Sequence, residues 1–337
     1  MRRQKTNKYF PSALIFALMF SAAACVAQEQ QKQPAPAESL TLSIVGDMNF
    51  CGKLGRIVAE KSPYYFFSQL PDDLRKADIT AGGLECPLTY RKTPAAPGSC
   101  ACNPMISEAL QREGFDVFFI ANERIFDRGP DGMYDTLNVL KKRDMKGLGA
   151  AEDLLSAQMA YVMMKGEIKV AFLAFSAIPD NRKKALSDRT TISTADEGMV
   201  RMKVKVAKAV ADVVVVSFRW GEDGGFVPTE EQKRLAYVAA DAGAALIVGG
   251  HTHTLQRYEI RNKSFIVYGL GNFLTDNLRT SARESAILTA VLSKKGVESV
   301  EFLPFVIENY RPVPVNGDDA VKILKTLAGE RPRSIWE

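Results

Sequence analysis

From Leu40 onward, short apolar runs alternate with stretches whose apolar positions recur at helical spacing. The runs 42–45, 79–81, 117–120, 170–175, 213–218 and 246–248 are rich in β-branched and aromatic residues and predict strands. Several are apolar throughout, as in strands covered on both faces. Between them, Thr229 and Gln232 form a capping box ahead of Leu235, Val238 and Ala239, with Gly243 closing that helix. Pro130 opens another helix, with Met133, Leu137 and Leu140 on one face. Strand and helix in alternation predict a layered α/β fold.

The pattern then changes. Residues 258–260 and 265–268 flank the turn Arg261-Asn262-Lys263-Ser264, and residues 287–292 face 299–303 across Lys294-Lys295-Gly296. These are hairpins, and they add antiparallel strands to the sheets. No internal repeat and no long linker interrupts the chain. The expected organisation is one domain over residues 40–315 and a short helical tail over 316–337.

The beginning of the chain reads differently. Arg2, Arg3, Lys5 and Lys8 precede an apolar run from Ala13 to Phe20 and a small-residue stretch, Ser21 to Ala24, before Cys25. This is the shape of an export signal over residues 1–24, with an apolar run too short to span a bilayer comfortably. Cys25 stands where a bacterial lipoprotein signal places its acylated cysteine, although Ala22 replaces the usual leucine. The expected location is therefore the cell envelope, membrane-anchored through lipid on Cys25. Cleavage after Ala27 would instead leave a soluble periplasmic or secreted protein. Residues 25–39, polar and proline-containing, read as a flexible tether.

Removing the four cations of residues 1–24 lowers the formal net charge from +5 to +1. That balance offers nothing to attract nucleic acid. Four further cysteines, Cys51, Cys86, Cys100 and Cys102, lack the paired C-x-x-C spacing of a zinc site. In an oxidising compartment they are disulfide candidates. Cys100 and Cys102 are too near each other to pair easily, so each is expected to reach Cys51 or Cys86.

Polar residues recur just where the predicted strands end: Asp47, Glu85, Asn122, Arg219, and the only two histidines, His251 and His253. In layered α/β folds, ligands bind at the carboxyl ends of strands, so these loops are expected to converge. Singly, each residue also reads as a turn former, a cap or a surface group. Their order along the chain resembles the bacterial capsule synthesis family of the poly-γ-glutamate (CapA) type. The matching segments are Ile44-Val45-Gly46-Asp47, Gly83-Leu84-Glu85-Cys86-Pro87-Leu88, the stretch from Gly114-Phe115-Asp116 through Ala121-Asn122 to Asp135-Thr136-Leu137, Trp220-Gly221, Gly249-Gly250-His251-Thr252-His253, and Leu270-Gly271-Asn272-Phe273.

The resemblance implies a metallophosphatase-like, four-layer α-β-β-α sandwich of two mixed sheets. It also implies metal-ligand positions at Asp47, Glu85, Asn122, His251 and His253, a donor set suited to manganese, zinc or iron. Glu222 and Asp223 are weaker candidates. Two positions depart from the family pattern: Arg124 and Arg219 stand where it has histidines. A guanidinium neither ligates a metal nor acts as a base. The expectation is at most one tight ion. The two arginines either pair structurally, Arg124 with Asp127 and Arg219 with Glu222 or Asp223, or bind anions. The implied role is an envelope protein that handles an anionic polymer such as poly-γ-glutamate, with a membrane synthase as a further partner. The alternative is an active metal-dependent hydrolase of a phosphoester or amide bond in such a polymer.

Replacing Cys25 with Ser is expected to move the protein from the membrane pellet to the soluble fraction. A Cys25→Ser protein that stays in the pellet would place the anchor elsewhere.

Overall fold

The computed structural model describes residues 39–178, 191–277 and 279–330. The signal, Cys25 and all but the last residue of the tether lie outside them, as do residues 331–337 of the tail.

Two mixed sheets face each other. The first runs in the order Arg311–Pro314, Gly296–Glu308, Glu284–Ser293, Ser39–Met48, Ile79–Leu84, Val117–Phe119 and Lys146–Leu148, with Asn272–Leu274 also paired to Ser39–Met48. The second runs Leu255–Arg261, Ser264–Leu270, Leu246–Gly250, Val213–Arg219, Ile168–Ser176 and Tyr161–Lys165. Within each, the central strands are parallel and hairpins extend the edges. The Leu255–Arg261 hairpin turns at Asn262 and Lys263, both at positive φ, which suits the right-handed twist of the flanking strands.

Alternation along the strands assigns the layers. Leu42, Ile44, Ile79 and Val117 of the first sheet meet Val170, Phe172, Val215 and Val248 of the second in the inter-sheet core. Val45, Met48 and Phe118 face outward onto Leu54, Leu110 and Met133 of the helical layer on that side. Leu173, Val214 and Val216 do the same against Val200, Leu235 and Ala239. The architecture is therefore the four-layer α-β-β-α sandwich, and it explains why the central strands are apolar on both faces. Helix Glu230–Asp241 carries the capping box at Thr229 and Gln232, and helix Gly129–Lys141 has its proline in the first turn. Helix Gly317–Ala328 places Ile323 and Leu327 against the inter-sheet core.

The loop between Glu85 and Pro104 is buried at its two ends, exposed over residues 90–95, and holds few apolar side chains of its own. It is fastened by two disulfides, Cys51–Cys100 and Cys86–Cys102. Each bridge is expected to contribute about 2 to 4 kcal/mol, chiefly by restricting the unfolded chain. Urea unfolding with and without a reductant should show the reduced protein less stable by several kcal/mol. Identical midpoints would mean that the loop is held by other contacts.

Candidate functional site

Because the central strands of both sheets are parallel, their carboxyl ends open at one end of the sandwich. The strand Ser39–Met48 delivers Asp47 there through an irregularity in register at Gly46. A Cβ on Gly46 would lie 2.1 Å from the carbonyl oxygen of Gly271, so only glycine permits this approach. Asp47 is turned into the centre, where its Oδ1 would lie 2.6 Å from a Cβ on Gly83 or on Gly250. The two glycines form a cradle for the carboxylate.

Glu85 follows the second strand, its N–H bonded to Met48 O at 2.9 Å. His251 and His253 follow the strand Leu246–Gly250, both at positive φ (86° and 57°). Non-glycine residues hold that conformation at a cost and concentrate at functional sites. The His251 N–H donates to Asp47 Oδ2 at 2.7 Å. Donor atoms of Asp47, Glu85 and His253 all lie within 4.8 Å of one another.

Arg219, at the end of strand Val213–Arg219, is buried and reaches across to the first sheet. Its Nη1 pairs with Glu85 Oε1, while Nε and Nη2 form a fork on Glu123 at 3.0 and 3.1 Å. This corrects the pairing expected with Glu222 or Asp223, which are exposed. It also corrects the expectation of a guanidinium open to external anions, because protein carboxylates already take its donors. Arg124 lies instead with the disulfide loop, 3.6 Å from Asp127 and 3.4 Å from Cys100 Sγ.

Asn122 donates to Leu84 O at 2.8 Å, but its Oδ1 is buried without a partner, and so is Nδ1 of His251. Buried polar atoms of this kind call for an explanation, an absent ion being one. Asn122 and Arg219 line a cavity of about 30 Å³ with Asp47, Glu85 and Gly250. That volume suits a water or a single ion.

Two residues escaped the sequence reading as site members. Glu123, beside Asn122, was not singled out in the sequence, and only the approach of Arg219 from the other sheet gives it a role. Asn272 sits inside a recognised motif, and its function depends on where its amide points. Its Nδ2 donates to the carbonyls of His253 and Ala282, which leaves Oδ1 facing His253 Nδ1 at 2.9 Å. His253 Nδ1 therefore carries a proton. Trp220, in the matched Trp-Gly pair, is structural: it stacks on Phe218 at 4.6 Å, and its indole donates to Tyr268 O.

The electrostatics follow from burial and these pairs. Burial, reinforced by Glu85, raises Asp47 to about 6, against the opposing pull of His253 and Arg219. Burial would also raise Glu85, but Arg219 and His253 outweigh it and hold Glu85 low. Glu123 falls to about 2, since Arg219 overcomes its desolvation. Burial and the Arg219 charge lower His251 to about 4. His253 is raised, because Glu85 and Asp47 outweigh its burial. Three carboxylates thus surround one guanidinium, an excess of negative charge that suits one divalent cation. Asp47, Glu85 and His253 would hold it.

With this geometry established, likeness to known proteins becomes specific. The family model described as bacterial capsule synthesis protein PGA_cap matches residues 41–277, which include every residue of the cluster. The chain belongs to the bacterial capsule synthesis protein family. The PGA biosynthesis protein CapA of Bacillus subtilis is 30% identical over 94% of this chain and 85% of its own length. The capsule biosynthesis protein CapA of Bacillus anthracis is 27% identical over 99% and 85%. The fold of this capsule synthesis family member is shared with the calcineurin-like phosphoesterase YfkN of Bacillus subtilis, at a TM-score of 0.51, 12% identity and coverage of 86% and 96%.

The two histidines make the electrostatics directly observable. Between pH 6.5 and about 4, folded His251 binds fewer protons than its unfolded counterpart, so the stability it contributes above pH 6.5 is lost as pH falls. In metal-free protein, the two imidazole C2 proton resonances are expected to titrate well apart, His251 near pH 4 and His253 above 6.5. Both titrating together near 6.5 would contradict the burial and pairing described.

Proposed function

We propose that this chain is an exported, lipid-anchored protein of poly-γ-glutamate capsule synthesis. Its strand-end site holds one divalent ion and engages the carboxylates of the polymer. The observation that carries this reading is the Asp47–Glu85–His253 cluster, whose donor atoms lie within 4.8 Å of one another beside the already paired Arg219. Family membership and the relatives named for capsule and PGA biosynthesis support the polymer. The signal-like start and Cys25 support export and the anchor, and through them a membrane synthase as partner.

When bound, the ion would supply a concentrated positive charge able to accept or polarise an anionic oxygen; manganese, zinc and iron all suit the donors. The protein's own groups do the rest. Asp47 is aimed by the His251 N–H and the glycine cradle. Glu85 is shared between the cluster and Arg219. Asn272 fixes the ring of His253 through its Nδ1 proton, and because a doubly protonated imidazole cannot ligate, capture of a cation is pH-dependent. With Arg219 in the place of a second ion and its fork already filled, the site is suited to holding a polymer carboxylate rather than to hydrolysis by two metals.

Metal analysis of the full chain is expected to find one tightly held ion. Asp47→Asn should weaken it at least about tenfold, and Arg219→His should raise the stoichiometry. Poly-γ-glutamate should bind the loaded protein and be released by EDTA, with its chain length unchanged. Shortening of the polymer, or phosphate release from a phosphoester, would overturn this reading in favour of the hydrolase. Two ions in the unaltered chain would do the same.

A further inference from the structure

The four sulfurs that fasten the 85–104 loop form one group. Cys51 Sγ, bonded to Cys100, lies 3.4 Å from Cys102 Sγ, which is bonded to Cys86. Sulfurs of Cys51, Cys86 and Cys102 all fall within 4.8 Å of one another. Access is graded across them: Cys100 is partly exposed, Cys51 is 9% exposed, and Cys86 and Cys102 are fully buried. The Arg124 guanidinium stands 3.4 Å from the partly exposed member, Cys100. The innermost member, Cys86, directly follows Glu85 of the candidate site.

We propose that these two disulfides are a thiol–disulfide exchange centre that takes an external thiol at Cys100 and delivers a free thiol at Cys86. Exchange requires a thiolate with access to a disulfide sulfur, and access decides which sulfur is attacked. An external thiolate, drawn by Arg124, attacks Cys100 Sγ. The Cys51–Cys100 bond breaks, a mixed disulfide forms on Cys100, and Cys51 leaves as thiolate. Cys51 Sγ, at contact distance from Cys102 Sγ, is then free to turn about its Cα–Cβ bond into line with the Cys86–Cys102 bond. Its attack forms Cys51–Cys102, breaks Cys86–Cys102 and expels the Cys86 thiolate. A second external thiolate resolves the mixed disulfide on Cys100. In sum, two external thiols are oxidised to one disulfide, one chain disulfide is reduced, and the two protons end on Cys86 and Cys100. The buried Cys86 bond, which an external thiol cannot reach, is thereby opened from the surface. This inference stands independently of the ion proposed for the neighbouring site.

The test is limited reduction of the oxidised full chain with glutathione, two equivalents per chain. Acid quenching, unfolding and maleimide labelling at acidic pH then precede peptide mapping by mass spectrometry. The expected product carries label on Cys86 and Cys100 and retains a Cys51–Cys102 cross-link. Label on Cys51 and Cys100 with Cys86–Cys102 intact would overturn the proposal. Label on Cys86 and Cys102 with Cys51–Cys100 intact would overturn it equally. A Cys86→Ser variant gives a second reading, because it leaves the Cys102 thiol facing Cys51. Its oxidised form should contain both the Cys51–Cys100 and the Cys51–Cys102 isomers, whereas Cys51–Cys100 alone would count against exchange.

Discussion

A guanidinium withdrawn from water must be met by carboxylates, and Arg219 satisfies that requirement across the two sheets. Its strand belongs to the second sheet, whereas Glu85 and Glu123 follow strands of the first. Removing one partner of such a buried pair typically costs about 3 to 5 kcal/mol, since a charge is left uncompensated. The pairing therefore positions the loops after two strands of one sheet relative to the end of a strand in the other. It also sets the proton balance of the site: Glu85 and Glu123 are held ionised, His251 is held neutral, and the raised affinity for a proton falls to Asp47.

The backbone serves the same arrangement. Asp47 reaches the centre only because Gly46, Gly83 and Gly250 leave room for it and for the neighbouring strands. Both histidines adopt positive φ without being glycine, a strain that the surrounding strands sustain. On the outer side, the Cys51–Cys100 bridge ties the loop after Glu85 to a point four residues beyond Asp47, and Cys86–Cys102 joins the two ends of that loop. Both carboxylates thus lie close to covalent anchors, and a change at those sulfurs is a change beside the site.

Much of this molecule was legible in the chain. The strands were readable because a strand buried on both faces has to be apolar along its length, and the helix starting after Thr229 because a capping box is a local hydrogen-bond pattern. The unnamed strands were short or lay at sheet edges. Lys146–Leu148 contains Gly147, and Arg311–Pro314 contains two prolines. Neighbouring strands, rather than intrinsic preference, make these segments extended. Strand-end positions identified Asp47, Glu85, Asn122, His251 and His253 as candidates, and the order of the motifs pointed to the family.

The sequence by itself determined the layered α/β class, the strand-end residues and the presence of two arginines, Arg124 and Arg219, among them, because periodicity, capping and residue chemistry are local properties. Only the tertiary structure decided what those arginines do. Arg219 finds Glu85 and Glu123 rather than Glu222 or Asp223, separations of 134 and 96 residues. Arg124 turns to Asp127 and the disulfide loop, and Asn272 settles the proton on His253. Charge pairing and amide orientation depend on distances between segments remote along the chain, and packing two sheets face to face is what sets those distances.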